Sequence, residues 1–199
     1  MSCSLASWGS ILPRRFYARP AERVARDLLG AFLVHHLDGT TLAGRIVETE
    51  AYLGREDRAA HASRGLTDRT RVLFGPPGHA YVYLIYGIYD CLNLVAEPEG
   101  APGCVLIRAL EPVCGLDGRQ ASGPGKLTRA MGISLRHNGQ DVTGGPLVVR
   151  APQRRQVPPI DVTPRIGITH CADWPLRFLV RNNPYVSRAA PAGSRASRG

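Results

Sequence analysis

The sequence predicts an α+β fold: a single mixed domain built on a curved, largely antiparallel β-sheet, flanked by helices and carrying a protruding β-hairpin. Three observations predict it. Apolar runs at 31–36 and 41–52 flank Leu37-Asp38-Gly39-Thr40, and Asp-Gly between such runs is a strong hairpin signal. A second reversal is written into Tyr81-Val-Tyr-Leu-Ile-Tyr-Gly87, aromatic and β-branched until a glycine that permits a sharp turn. Helical spacing, by contrast, is confined to short segments.

Residues 1–15 carry no periodic pattern and are expected as a loose lead-in to a domain spanning 16–187. A helix is predicted at 20–29, with Pro20 at its start, Val24, Leu28 and Leu29 at helical spacing, and Gly30 as its stop. The two strands of the Asp-Gly hairpin follow. Alternation in the second puts Ile46, Glu48, Glu50 and Tyr52 on one face and Val47, Thr49 and Ala51 on the other. Carboxylates on a strand otherwise fit for burial are paired, solvated at an edge, or functional. Residues 53–79 are polar and punctuated by Gly and Pro; they read as a binding loop with a short helix at 57–63.

In the tyrosine hairpin, Tyr81, Tyr83 and Ile85 share one face and Val82, Leu84 and Tyr86 the other. Tyr86 then stands at the tip, placed to push between stacked bases, while Tyr83 on the opposite face can line a pocket. The same pattern also suits a plain core hairpin. A turn at 97–100 leads to an apolar strand at 104–110, interrupted by Arg108, which calls for a carboxylate or a phosphate. Ser122-Gly-Pro-Gly-Lys126-Leu fails as a phosphate loop, because Gln120 and Leu127 hold the places of the first Gly and the Ser/Thr. Lys126, the chain's single lysine, precedes an expected helix at 127–131 and suits either a phosphate contact or the plain surface. One short strand is expected at 146–149, two strands around a turn within 164–181, and a disordered tail at 188–199.

Length and charge narrow the partners. At 199 residues the chain is one domain able to bury a core without disulfides. A net charge of +9 favours a polyanion, nucleic acid or acidic membrane, although a GC-rich coding sequence also enriches arginine. Five cysteines, an odd count without CxxC spacing, read as reduced and mostly buried thiols of an intracellular protein. No targeting segment and no run of transmembrane length is present, so a soluble cytoplasmic protein is expected. The six histidines form no HxxxH or Cys/His cluster, no serine sits in a nucleophile elbow, and no dinucleotide-binding glycine pattern occurs. Neither metal nor cofactor is therefore expected. The carboxylates, aromatics and arginines that remain suit glycosidic-bond cleavage, where a carboxylate orients water beside an oxocarbenium-like transition state and aromatic faces hold a flat base.

At this point several motifs, in one order, resemble a known family. Glu48-Thr-Glu-Ala-Tyr-Leu-Gly54, residues 57–61, the tyrosine hairpin through Asn93, Val105-Leu-Ile-Arg-Ala-Leu-Glu-Pro112, Ser122-Gly-Pro-Gly-Lys126, Arg165-Ile-Gly-Ile168 and Pro175-Leu-Arg-Phe178 are similar to the alkyladenine (3-methyladenine) DNA glycosylases of the human and bacterial type. The resemblance covers roughly residues 20–187. It implies that Glu50 is the general base acting on water, with Arg108 and the backbone of Ile166 holding that water. Tyr52, His61 and Tyr83 would stack the extruded purine, Asn93 would act as a steric gate against the exocyclic amine of guanine, and Tyr86 would fill the gap left in the duplex. Glu48, about 6.5–7 Å from Glu50 by strand rise, is the rival base and the one expected to pair with an arginine.

The implied protein is a monomeric, monofunctional DNA glycosylase of base excision repair, working at the bacterial nucleoid on double-stranded DNA that contains alkylated or deaminated purines. Two rivals share its residues: a non-catalytic binder of damaged or single-stranded DNA, and a hydrolase or transferase of free nucleosides. Departures from the family pattern fall outside the proposed base and stacking set, at the short connection 112–122, the compact segment 170–175, His79 and Asp90.

Overall fold

The computed structural model describes residues 8–116, 121–154 and 158–187, so residues 1–7 of the expected lead-in and the expected tail (188–199) lie outside the described residues. In chain order the elements are β1 Trp8–Ile11, α1 Arg14–Tyr17, α2 Ala21–Asp27, β2 Phe32–Leu37, β3 Thr40–Tyr52, β4 Ala80–Ile85, β5 Tyr89–Ala96, β6 Gly103–Cys114, α3 Pro124–Ala130, β7 Leu147–Pro152, β8 Ile160–Thr163 and β9 Arg177–Val180. Three 3₁₀ turns, at His61–Arg64, Arg71–Phe74 and Leu135–His137, complete the described set. The fold is mixed α+β, as the sequence predicts, with one large antiparallel sheet and few helices.

Strand β3 is its spine. Along one edge it pairs with β6; along the other it pairs first with β2 and then, at Glu48–Glu50, with β9. The main path runs β1-β7-β2-β3-β6-β5-β4, and β8 attaches through β9. The β2–β3 turn is tight because Asp38 and Gly39 both take positive φ, 48° and 77°, which matches the right-handed twist of the flanking strands. One sheet face packs on α2 and α3 through Val24, Leu28, Ile46, Ile107 and Leu127, forming the main core. A smaller cluster of Ala62, Leu73, Tyr81, Val95 and Cys104 lies elsewhere, with Tyr52 and Tyr83 packed against it.

Several expectations change in the folded chain. Residues 8–11, read as lead-in, form edge strand β1 against β7, and Trp8 and Leu12 are buried. The region 164–181 holds one strand, not two, since the partner of β9 is β8 at Ile160–Thr163. Such pairing joins segments that carry no local turn signal of their own. The helix expected at 57–63 is a 3₁₀ turn at His61–Arg64, and Lys126 lies within α3, not ahead of it. Cys91, Cys104 and Cys171 are free thiols, whereas Cys114 is disulfide-bonded, against the expectation of five reduced cysteines.

The face assignment in β3 also changes. Ile46 pairs with Leu110 and Glu48 with Ala109, so Val47 is an extra residue on β3; Glu48 and Thr49 then span Ala109 to Ile107, which makes Arg108 the extra residue on β6. Two opposed β-bulges side by side restore the register. Ile46 consequently faces the core with Ala51, away from Glu48 and Glu50. Among the described residues no helix is long and apolar enough to cross a membrane, and no group of three or more His, Cys, Asp or Glu could hold a metal ion.

Candidate active site

The bulges bring both carboxylates under Arg108. Glu50 is 0% exposed and uses both oxygens: Oε1 accepts the Ile166 N–H at 2.8 Å and lies 3.2 Å from Nη1 of Arg108, while Oε2 accepts the Tyr52 hydroxyl at 3.1 Å. Glu48, two residues earlier, is held differently. It accepts Nε of Arg108 at 3.0 Å, Nε of Arg177 at 2.7 Å, and the backbone N–H and hydroxyl of Ser187 at 2.6 and 2.9 Å. Every ligand of Glu48 is thus a fixed protein donor, and it is the arginine-paired carboxylate the sequence anticipates.

A cavity of about 430 Å³ is lined by Tyr52, His61, Tyr83, Asn93, Arg108 and Ile166, all expected from the sequence, together with Tyr81, Arg69, Cys91, Cys104 and Leu106; Glu50 itself is not in the lining but touches Tyr52, Arg108 and Ile166, which are. Four neighbouring strands supply one wall, for Tyr52, Arg108, Asn93 and Tyr83 stand on β3, β6, β5 and β4. The loop after β3 supplies another through His61, and the segment after β8 supplies Ile166. The volume is that of a small-molecule pocket. His61 packs edge-on to Tyr83 with centroids 4.5 Å apart, and its Nδ1 lies 2.9 Å from the Tyr81 hydroxyl. Asn93 is clamped, its amide nitrogen donating to the Tyr81 carbonyl at 3.3 Å and its oxygen facing the Cys104 thiol at 3.9 Å.

Tyr86 caps the hairpin at the rim, 82% exposed, in the left-handed conformation at φ 53°, followed by Gly87 at φ 70°. Beside it Ile88 is 67% exposed, so the tip presents an apolar prow to solvent. Lys126 is not brought into the cluster: it is exposed on the first turn of α3, whose Pro124 reaches the cavity. His79 lies apart from it too, its Nδ1 3.3 Å from Nη1 of Arg14, which also donates to the Pro77 carbonyl and pairs with Asp141.

Burial sets the proton chemistry. Desolvation pushes the Glu50 carboxyl above its usual range, outweighing the Arg108 charge and the hydrogen bonds from Ile166 and Tyr52 that favour the anion. The result is a stronger base than an ordinary carboxylate. His61 moves the other way, pushed down to about 4 by burial and by the charges of Arg69 and Arg64, so it is neutral at physiological pH.

Sequence reasoning missed Arg69, which lies 5.7 Å over the Tyr83 ring, and the fully buried Asp57–Arg165 pair. Both depend on the path of loops, which residue spacing does not encode. Tyr81 was findable, since strand alternation already set it beside Tyr83.

The methylpurine-DNA glycosylase (MPG) family profile matches residues 15–184, nearly the whole described chain. The chain belongs to that family. It is accordingly a DNA N-glycosylase. Among similar proteins, one of Methanoculleus marisnigri is 53% identical over 89% of this chain and 98% of its own length. One of Legionella pneumophila is 48% identical over 89% and 98%, and one of Myxococcus xanthus 47% identical over 92% and 97%. Each bears the name "Putative 3-methyladenine DNA glycosylase". The matched span, residues 15–184, covers every cavity-lining residue named above.

Proposed function

We propose that this glycosylase removes alkylated and deaminated purines, the 3-methyladenine, 7-methylguanine, hypoxanthine and ethenoadenine class, from double-stranded DNA by water attack at the sugar, acting as a monomer in base excision repair at the cytoplasmic nucleoid. The observation that carries the reading is Glu50, a fully buried carboxylate of raised basicity held by Tyr52, Arg108 and Ile166, three residues that line an aromatic cavity. Water bonds to the anomeric carbon as the C–N bond breaks; the bond pair leaves with the base and the water proton goes to Glu50. Alkylation at N3 or N7 makes the purine cationic and a good leaving group, so a base and a positioned water supply most of what the step needs.

The slot of Tyr52, His61 and Tyr83 suits a flat base, Asn93 suits a gate against the guanine amine, and Arg108 and the Ile166 N–H hold Glu50 and its water. Extrusion costs a few kcal/mol of unstacking, least where pairing is already weak. Tyr86 offsets that cost by occupying the gap. Lys126 serves a phosphate from the α3 side, and among the described residues no lysine lines the cavity, so the product is an abasic site in an uncut strand.

The test is a duplex with a single hypoxanthine or ethenoadenine, treated with alkali to reveal abasic sites. Base release with cleavage only after alkali is expected. Strand cutting without alkali would refute the monofunctional reading, and failure on these lesions and on methylated DNA would refute the substrate class. Tyr86→Ala should reduce release by roughly 5- to 150-fold, the equivalent of about 1–3 kcal/mol of stacking, with a smaller loss on mismatched lesions. Equal release from paired and mismatched sites by the variant would show that the tip does not fill the gap.

The pH profile follows from the site. Release should fall on the acid side as Glu50 takes up a proton, with a midpoint above the ordinary carboxyl value of 4.5. His61, already neutral above about 4, adds no limb of its own in the neutral range. A single-turnover profile flat down to pH 4.5 would contradict a raised Glu50.

A further inference from the structure

We propose that the buried Asp57–Arg165 pair is a positioning strut of the reaction, setting the Tyr52 ring and the Ile166 N–H relative to Glu50; this rests on the glycosylase reading above. Both side chains are 0% exposed. The Arg165 guanidinium engages both oxygens of Asp57, with Nη2 to Oδ1 at 2.9 Å, and Nη1 also donates to the Ala51 carbonyl at 3.0 Å. Its central carbon sits 4.6 Å from the centroid of the Tyr52 ring. Tyr52 lines the cavity and Arg165 does not, so the guanidinium backs the ring from its sheltered side.

Three segments meet at this one pair. Ala51 and Tyr52 end β3, where Glu50 is anchored. Asp57 also accepts the N–H groups of Leu53 and Ala59, at 3.2 and 3.1 Å, and so folds the turn that delivers His61. Arg165 immediately precedes Ile166, whose N–H donates to Glu50. The ring that would stack the base, the loop bearing His61 and the donor on Glu50 are therefore fixed by a single planar fork.

Stability alone is a weak reason for such a pair. Taking two charges out of water costs about what their attraction returns, and well-packed apolar side chains serve as well. Moreover, Nε of Arg165 is buried with no hydrogen-bond partner among the described residues. A guanidinium held with one donor unsatisfied is better explained by the directions its other donors enforce.

The experiment compares Asp57→Asn, Arg165→Met and the double variant in the full chain, on the ethenoadenine duplex under single turnover with a thermal melt beside each. Each single variant leaves one buried group unpaired and should lower Tm. The double variant keeps an acceptor for one of the two N–H groups, Leu53 or Ala59, and restores charge balance, so Tm should return in large part. Base release should not: a loss of about 10- to 100-fold is expected, because small displacements of reacting groups cost that much. Its acid limb should also move to higher pH, since Glu50, still facing Arg108, Tyr52 and Glu48, loses the steady Ile166 donor. A double variant with wild-type release and an unmoved acid limb would overturn the proposal. Should the double variant not fold, Arg165→Lys decides: it retains the charge beside Asp57 but neither the fork nor the flat contact with Tyr52. Wild-type release by that variant would equally overturn the strut, and a tenfold loss with DNA affinity intact would support it. Inactive wild-type protein in the same assay would instead defeat the glycosylase reading.

Discussion

Glu50→Gln is expected to lower the single-turnover rate of base release by about 10²- to 10⁴-fold, the range for loss of a general base, while DNA affinity stays within about twofold of wild type. Glutamine keeps the shape of the side chain and can still accept the Ile166 N–H and the Arg108 contact made by Oε1. What it cannot do is take the proton of water. Affinity should survive because arginines and the exposed hairpin tip lie outside this change, and electrostatic binding depends on phosphates, not on a buried carboxylate. The fold should survive as well. A carboxyl whose folded pKa is raised contributes stability that is full below its unfolded pKa and lost as pH rises through the folded one, so at neutral pH the Glu50 anion is a net cost. Tm of the variant at pH 7 should thus equal or exceed that of the wild type, and the difference should vanish in acid. A variant that releases base at more than a tenth of the wild-type rate would remove Glu50 from the proposed chemistry.

What the sequence made legible were features whose cause is local. Asp38-Gly39 fixes a two-residue turn by itself, and Gly87 permits the three-residue turn between Ile85 and Tyr89, so both hairpins could be read. Strand alternation also put Glu50 beside Tyr52 and Tyr81 beside Tyr83. It failed at Ile46, because a bulge at Val47 shifts the parity and its counterpart at Arg108 restores the register; such paired insertions are set by two strands together. The pairing of β8 with β9 and of β1 with β7 was likewise invisible, since each joins segments distant from any shared turn. In the site the division is the same. Strand residues were found, whereas Arg69 and the Asp57–Arg165 pair, which enter on loops, had no periodicity to give them away.

The second large effect belongs to Glu48, and it should fall on stability. Glu48→Ala removes the common acceptor of Arg108, Arg177 and Ser187 from a site with no access to water. Breaking a buried ion pair from one side costs about 3–5 kcal/mol, because the remaining charge stays desolvated without compensation. At about 2–4 °C per kcal/mol for a domain of this size, Tm should drop by roughly 6–20 °C. Glu48→Gln should lose less, as its carbonyl oxygen still accepts one guanidinium. Ser187 sits at the end of the described chain and its carbonyl accepts Nη2 of Arg177, so loosening should begin there and in β9. Hydrogen exchange ought to rise first at 177–187 in this variant. Arg108 keeps Glu50 as a partner, so chemistry in the folded fraction should fall far less than in Glu50→Gln. Two glutamates one strand repeat apart would then give opposite phenotypes, one losing the reaction and keeping the fold, the other the reverse. A Glu48→Ala protein with unchanged Tm and lost activity would invert the assignment and make Glu48 the base.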